Sequence, residues 1–198
     1  MKPLSGLYRP LVSLLKYPVV YQHHYPEYFY TLQIRPFSIM VDIATLYTWI
    51  NRPRMLSSGH VIPYQRNLLK YYKSILESSD SQAFMVLQDN QPVCQVDLIP
   101  AAYEPLHAPF AKGVDDVSVR YIADFRTPHD VLLNSIHLCL NYLFSFSGNP
   151  VAYINMPAMD MLHGKNFGLI GCDFLDTVTY EDQIIKVYAC RKGKLKAQ

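Results

Sequence analysis

The stretch "QAFMVLQDNQPVCQVDLIP", residues 82–100, constrains the fold more than any other part of the chain. Two apolar runs, about 82–88 and 93–99, flank Asp89-Asn90. Short runs of strand-forming residues around a tight polar turn read as a β-hairpin. Strands joined so closely are antiparallel neighbours. A doubly wound parallel sheet or a β/α barrel needs a long crossover at each step and is excluded.

The other segments fill in the order. Residues 1–26 form a proline-punctuated lead-in. "EYFYTLQIRPF" (27–37) alternates and reads as a strand. "SIMVDIATLYTWI" (38–50) puts Ile43, Leu46, Tyr47 and Ile50 on one helical face, with Ser38 as its cap. "NRPRMLSSGHVIP" is a loop, and residues 64–79 form a second amphipathic helix. After the hairpin comes a long loop, "AAYEPLHAPFAKGVDD", and loops of that length in compact domains tend to be functional. A strand at 117–124, a helix at 128–146, a strand at 150–155, a short helix at 158–168 and two closing strands complete the chain. We expect one mixed α+β domain over 27–190, with a mostly antiparallel sheet of six to seven strands and a basic tail at 191–198.

Composition narrows the function. Of 198 residues, 50% are hydrophobic, which supplies a real core. A formal charge of +2 leaves no nucleic-acid footprint. The basic cluster "RKGKLK" (191–196) reads as a solvated tail. Cys94, Cys139, Cys172 and Cys190 form no CxxC pair, and those in apolar segments read as core residues of a protein from a reducing cytoplasm. We expect no signal peptide, no membrane span and no metal: His23 and His24 are adjacent and face opposite sides of a strand.

"ADFRTPHDVLLNSIH" (123–137) is a strand end, a turn and a helix start. Thr127 is placed to cap the helix, Pro128 to hold its first position and Asp130 to close a capping box. A strand running into a helix N-terminus commonly binds phosphate, but usually through glycines.

Scattered residues carry a resemblance. "IRPF" followed by "DIATLYTWINRP", then "YEPLHAPF…DD", "FR" at 125–126 and "YLF" at 142–144, resemble the GNAT acyltransferase superfamily. The closer likeness is to the siderophore-biosynthesis branch, the acetyltransferases of hydroxylated amines in aerobactin and alcaligin pathways. The resemblance covers about residues 28–190. It implies a GNAT fold and transfer of an acetyl group from acetyl-CoA, or another acyl-CoA, to an amine or hydroxylamine of a small molecule. It also implies that the turn after the fourth strand grips the pyrophosphate of the cofactor, which assigns Arg126, His129, Asp130 and Val131 to cofactor binding, with Asn155, at the end of the fifth strand, as a further cofactor-binding candidate. Asn155 is open between bonding an acyl amide and capping the next helix.

The motifs depart from the family pattern. Glycines of the phosphate turn are replaced within "TPHDV". Pro128 has no N–H, and Asp130 beside a pyrophosphate at about 5 Å would cost about 3 kcal/mol per charge pair at an effective dielectric of about 20. Weak or absent acetyl-CoA binding is the expectation. The family's histidine falls at Val119 or Arg120, and its acidic motif appears as "INM" (154–156), so neither general base carries over. His107, Tyr103 and Asp160 are the remaining catalytic candidates; Trp49, Tyr103 and His107 are the substrate-binding ones. Each has an ordinary alternative: a hydrogen-bonded loop histidine, a capping aspartate, a core tryptophan. The functional alternatives are an N-acyltransferase, a GNAT-like binding domain that has lost acyl-CoA, and an oligomeric partner protein; a homo-oligomer is left open.

Overall fold

The computed structural model describes residues 18–51, 56–57, 65–146, 148, 150–157, 167–180 and 183–196. The chain enters at β1 (Tyr21–Tyr25) and passes through one 3-10 turn with Phe29 in the left-handed region (φ 56°) into β2 (Tyr30–Pro36). Helix α1 (Ile39–Ile50) follows. Its start is held by a later residue: the hydroxyl of Ser38 makes no cap bond, and the Asp42 carboxylate reaches back to the Ser38 N–H at 2.8 Å. The same carboxylate takes both ends of the buried Arg35 guanidinium at 2.6 Å, a fork geometry that only arginine offers. Strand β3 is two residues, Leu56–Ser57, and α2 is Gln65–Glu77.

β4 (Gln82–Gln88) and β5 (Gln91–Pro100) form the expected hairpin. Asp89 and Asn90 both take positive φ, 47° and 68°, the pair that a two-residue hairpin turn requires. β6 (Val117–Ala123), α3 (His129–Phe144), β7 (Val151–Pro157), β8 (Cys172–Tyr180) and β9 (Gln183–Arg191) complete the order. All strands lie in one sheet, ordered β1-β2-β4-β5-β6-β7-β9-β8, with β3 on β6. Every pairing is antiparallel except β6 with β7.

Strand alternation sorts the side chains into two layers. Leu32, Ile34, Val96, Leu98, Val119 and Tyr121 face α3 and its Val131, Leu132 and Tyr142. Phe37, Ala83, Met85 and Ile122 face α1 and α2 with Leu46, Trp49, Leu68 and Tyr72.

Four expectations need correction. The lead-in contributes strand β1, and the expected loop at 51–63 contributes β3, so nine strands stand among the described residues where six to seven were expected. Tyr25, 1% exposed, explains the first: its ring packs on Tyr30, and that burial draws the segment onto the sheet edge. The capping box is absent. Pro128 is the N-cap, its carbonyl accepts the Leu132 N–H at 3.0 Å, and the Thr127 hydroxyl donates instead to the Val93 carbonyl at 3.1 Å. The basic end is no free tail. After β9 it turns back, and Lys196 donates its N–H to the Ile170 carbonyl while its own carbonyl accepts from His137. The expected helix at 158–168 lies, up to residue 166, outside the described residues.

Candidate active site

β6 and β7 pair over three residues only, Val117↔Ala152, Ser118↔Tyr153 and Val119↔Ile154. Beyond that the two strands run on without pairing to each other, and the sheet forks. β3 pairs with β6 further along, at Ile122 and Ala123, so the β6 edge at Arg120 and Tyr121 faces the fork.

On the α1/α2 side of the fork the sheet turns polar. Gln95 and Asp97 of β5 and Ser118 and Arg120 of β6 point there, because their neighbours are committed to the other core. Helix α2 leans two tyrosines over them. Tyr72 donates to Gln95 at 2.8 Å, and Gln95 donates to Asp97 at 2.5 Å. Tyr71 donates its hydroxyl hydrogen to Asp97 at 3.0 Å and accepts from Arg120 at 3.0 Å. Arg120 also grips the buried carboxylate of Glu104 through Nε at 2.7 Å and through Nη2.

These contacts set the charge states. Burial pushes the Asp97 carboxyl up to about 6, against the opposing pull of Arg120, Gln95 and Tyr71. Burial also pushes the Tyr71 hydroxyl well above its ordinary value. The result is a directed chain, Arg120 to Tyr71 to Asp97. A proton accepted by the Tyr71 oxygen can pass, by Tyr71 releasing its own, to a carboxylate poised near neutrality.

His107 and Asn155 are brought together at the fork, in a role the sequence reading did not foresee. His107 was expected on a loop facing the cleft; it is 0% exposed. Its Nε2–H donates to Asn155 Oδ1 at 2.6 Å, so its Nδ1 accepts from the Ser118 hydroxyl at 2.8 Å. Ser118 lies on β6 and Asn155 on β7, one residue past the last paired rung. The neutral imidazole therefore spans the base of the fork. Burial holds it down to about 4, and both ring nitrogens are engaged. The Asn155 side-chain oxygen is thus taken up by His107.

The remaining candidates separate. Trp49 is 4% exposed and lies in the core under α1 and α2, so it offers no platform to a substrate. Tyr103 is 58% exposed and bonds Asp80 at 3.4 Å. Asp160 lies outside the described residues. Arg126 is exposed but folded onto Asp124, at 2.8 and 3.1 Å, while its N–H also bonds Asp124 at 3.0 Å. His129 and Asp130 are half-buried in the first turn of α3, and Val131 is core. A shallow apolar crevice, too narrow to hold a water molecule, lies beside this turn, lined by Tyr121, His129, Leu132, Leu133, Ile136 and Phe167.

Pro128 is the N-cap, and the first intrahelical bond is Leu132 N–H to its carbonyl, so its missing N–H removes one of the four donors that a helix start offers. Asp130 adds an acid in that first turn.

Tyr71, Asp97, Glu104, Ser118 and Arg120 were missed. A signal existed: "VCQVDLIP" and "VSVRYIA" place polar residues at alternate positions of otherwise apolar strands, which marks one strand face as polar.

No protein-family model and no curated protein matches the chain. Solved structures do. AAC(6')-Ib in complex with ribostamycin and coenzyme A superposes with a TM-score of 0.67 at 13% identity, over 82% of this chain and 94% of that one. Spermidine N-acetyltransferase SpeG from Vibrio cholerae gives 0.59 at 14% identity, over 82% and 95%. A probable acetyltransferase of the GNAT family from Chromobacterium violaceum gives 0.57 at 9% identity, over 82% and 88%. The chain has the fold of the GNAT acetyltransferases.

Proposed function

We propose that this protein is an acyl-CoA-dependent N-acyltransferase acting on an amine of a small molecule. The observation that carries the reading is the fork between β6 and β7, with a helix N-terminus on one side and a buried acid–tyrosine–arginine chain on the other. The likeness to aminoglycoside and spermidine acetyltransferases supports it at the level of fold. The sequence resemblance narrows the acceptor to an amine or hydroxylamine of the siderophore type.

The residues suit the division of labour such a reaction needs. The first-turn N–H groups of α3 would meet the pyrophosphate, and the positive end of the helix favours it. The thioester supplies the activated acyl group. The amine would enter from the α1/α2 side, where Asp97, Glu104 and Arg120 sum to one negative charge when both acids are ionised. That balance favours a cationic amine. Tyr71 bridges Arg120 and Asp97 and would take the proton that the amine must lose, passing its own to Asp97. Holding the two reactants at one fork supplies much of the remaining acceleration.

Two observations favour a domain without acyl-CoA. β3 already pairs with β6 at residues 122–123, and Arg126 is closed onto Asp124, so two features that could meet the cofactor are engaged within the chain. Calorimetric titration with acetyl-CoA separates the readings. Micromolar binding, followed by thiol release on adding spermidine or a hydroxylated diamine, is expected of the enzyme. Absence of binding at millimolar acetyl-CoA overturns it.

A further inference from the structure

Cys172 and Cys190 stand directly opposite one another on β8 and β9. Both are buried in the layer against α3, at 5% and 0% exposure. Facing each other on one rung and buried in the same layer, the two thiols lie on one face of the sheet. Facing residues of an antiparallel pair have Cα atoms about 4.5–5.5 Å apart, inside the range of about 4.4–6.8 Å that a disulfide spans. We propose that Cys172 and Cys190 form a reversible redox site, closing to a cross-strand disulfide by exchange with a small disulfide such as glutathione disulfide.

Three features shape its behaviour. First, facing Cβ atoms lie about 4.5–5.5 Å apart, whereas a relaxed disulfide holds them at about 3.5–4.5 Å. The strands must draw together, so the bond is strained and readily reduced, as labile disulfides are. Secondly, access is through the sheet edge. β8 is the outermost strand, and Cys172 is its first residue and its one fully buried residue. Reaching Cys172 requires local opening of that end, which releases the Ile170 carbonyl from the Lys196 N–H. While the strand stays paired, its partner thiol and burial hold the Cys172 thiol protonated and slow. Thirdly, the other two cysteines do not share the geometry. Cys94 belongs to β5 and Cys139 to α3, so they approach from different layers.

The chemistry balances. The Cys172 thiolate, its proton lost to solvent, attacks glutathione disulfide and expels one glutathione. The Cys190 thiolate then attacks the Cys172 sulfur and expels the second. Two protein thiols are oxidised, and one small disulfide is reduced to two thiols.

The full-length folded protein is incubated with glutathione disulfide, alkylated, and digested without reduction for peptide mapping. We expect a linked Cys172–Cys190 peptide lighter by two hydrogen atoms, with Cys94 and Cys139 still alkylatable after denaturation. Added reduced glutathione should reopen it. In Cys190→Ser, a glutathione adduct should persist on Cys172; in Cys172→Ser, Cys190 should take none. Four free thiols after native incubation, a bond that forms only in urea, or a bond that glutathione cannot reopen would overturn the proposal. The wild-type map decides this even where a variant fails to fold.

Discussion

His107 and Asp97 illustrate how two buried groups of one protein pull stability in opposite directions with pH. His107 is held down from 6.5 to about 4. Between those values the unfolded chain binds a proton that the folded one does not. Its contribution is therefore complete above 6.5 and is lost as pH falls toward 4, by roughly 3 kcal/mol. Asp97 is raised from 3.8 to about 6. The folded chain binds the extra proton there, so its contribution is complete below 3.8 and is lost as pH rises through 6, by a similar roughly 3 kcal/mol. In the wild type the two nearly cancel between pH 4 and 6. Urea unfolding at several pH values separates them. The stability deficit of His107→Gln should shrink as pH falls from 7 to 4. Asp97→Asn should gain on the wild type as pH rises over the same interval. Gaps that do not move with pH would refute the assignment. Tyr71 tests the proposed chemistry at this scale: Tyr71→Phe should lower kcat about 10²-fold or more, with acetyl-CoA affinity unchanged. An equal loss in affinity would mean that the hydroxyl shapes the cleft rather than moving the proton.

At the scale of elements, the turns carry the sharpest expectations. Gly171 leads into β8 with φ +91°, and a Cβ there would lie 1.9 Å from the Lys194 carbonyl oxygen. That oxygen is backbone of the docked C-terminal segment and cannot swing aside. Gly171→Ala should cost about 2–4 kcal/mol, from the left-handed backbone and the clash together, read as a fall in the unfolding midpoint. Thr127→Ala should cost about 1 kcal/mol, because it removes the bond to the Val93 carbonyl rather than a cap. Asp130 is the turn's charged liability for an anion. Asp130→Asn should tighten acetyl-CoA binding about tenfold at low salt, an effect that fades as salt screens it. No change at low salt would mean that the pyrophosphate lies elsewhere.

The whole molecule is one sheet with a layer on each face, and its edges matter. β1 is one edge, and it brings Tyr25 to 1% exposure with its hydroxyl 3.4 Å from the Asn134 carbonyl on α3. A chain beginning at residue 27 should lose about 3 kcal/mol or more and unfold at lower urea, since it forfeits a buried aromatic side chain and a strand. Unchanged stability would mean that β1 is an appendage. Apart from β3, the hairpin, the helices α1, α2 and α3 and the order of strands β2 and β4 to β9 were legible in the chain. Each depends on periodicity and turn chemistry within a few residues, which local sequence carries. Arg120 was legible only as one of two residues at the family's histidine position, and Tyr71, Asp97 and Glu104 were not assembled around it. They lie on α2, β5 and a loop, and only the register Asp97↔Arg120 and the lean of α2 bring them together. The same holds for His107, which local reading placed in the cleft. Its bonds run to Ser118 and Asn155, 11 and 48 residues away. The cap failed for a related reason: Thr127 had a long-range partner in Val93, and a hydrogen bond to a carbonyl across the sheet won over one within its own turn. Local propensity decided which elements form. Register, and the need to satisfy buried polar groups across the sheet, decided what those elements bring face to face.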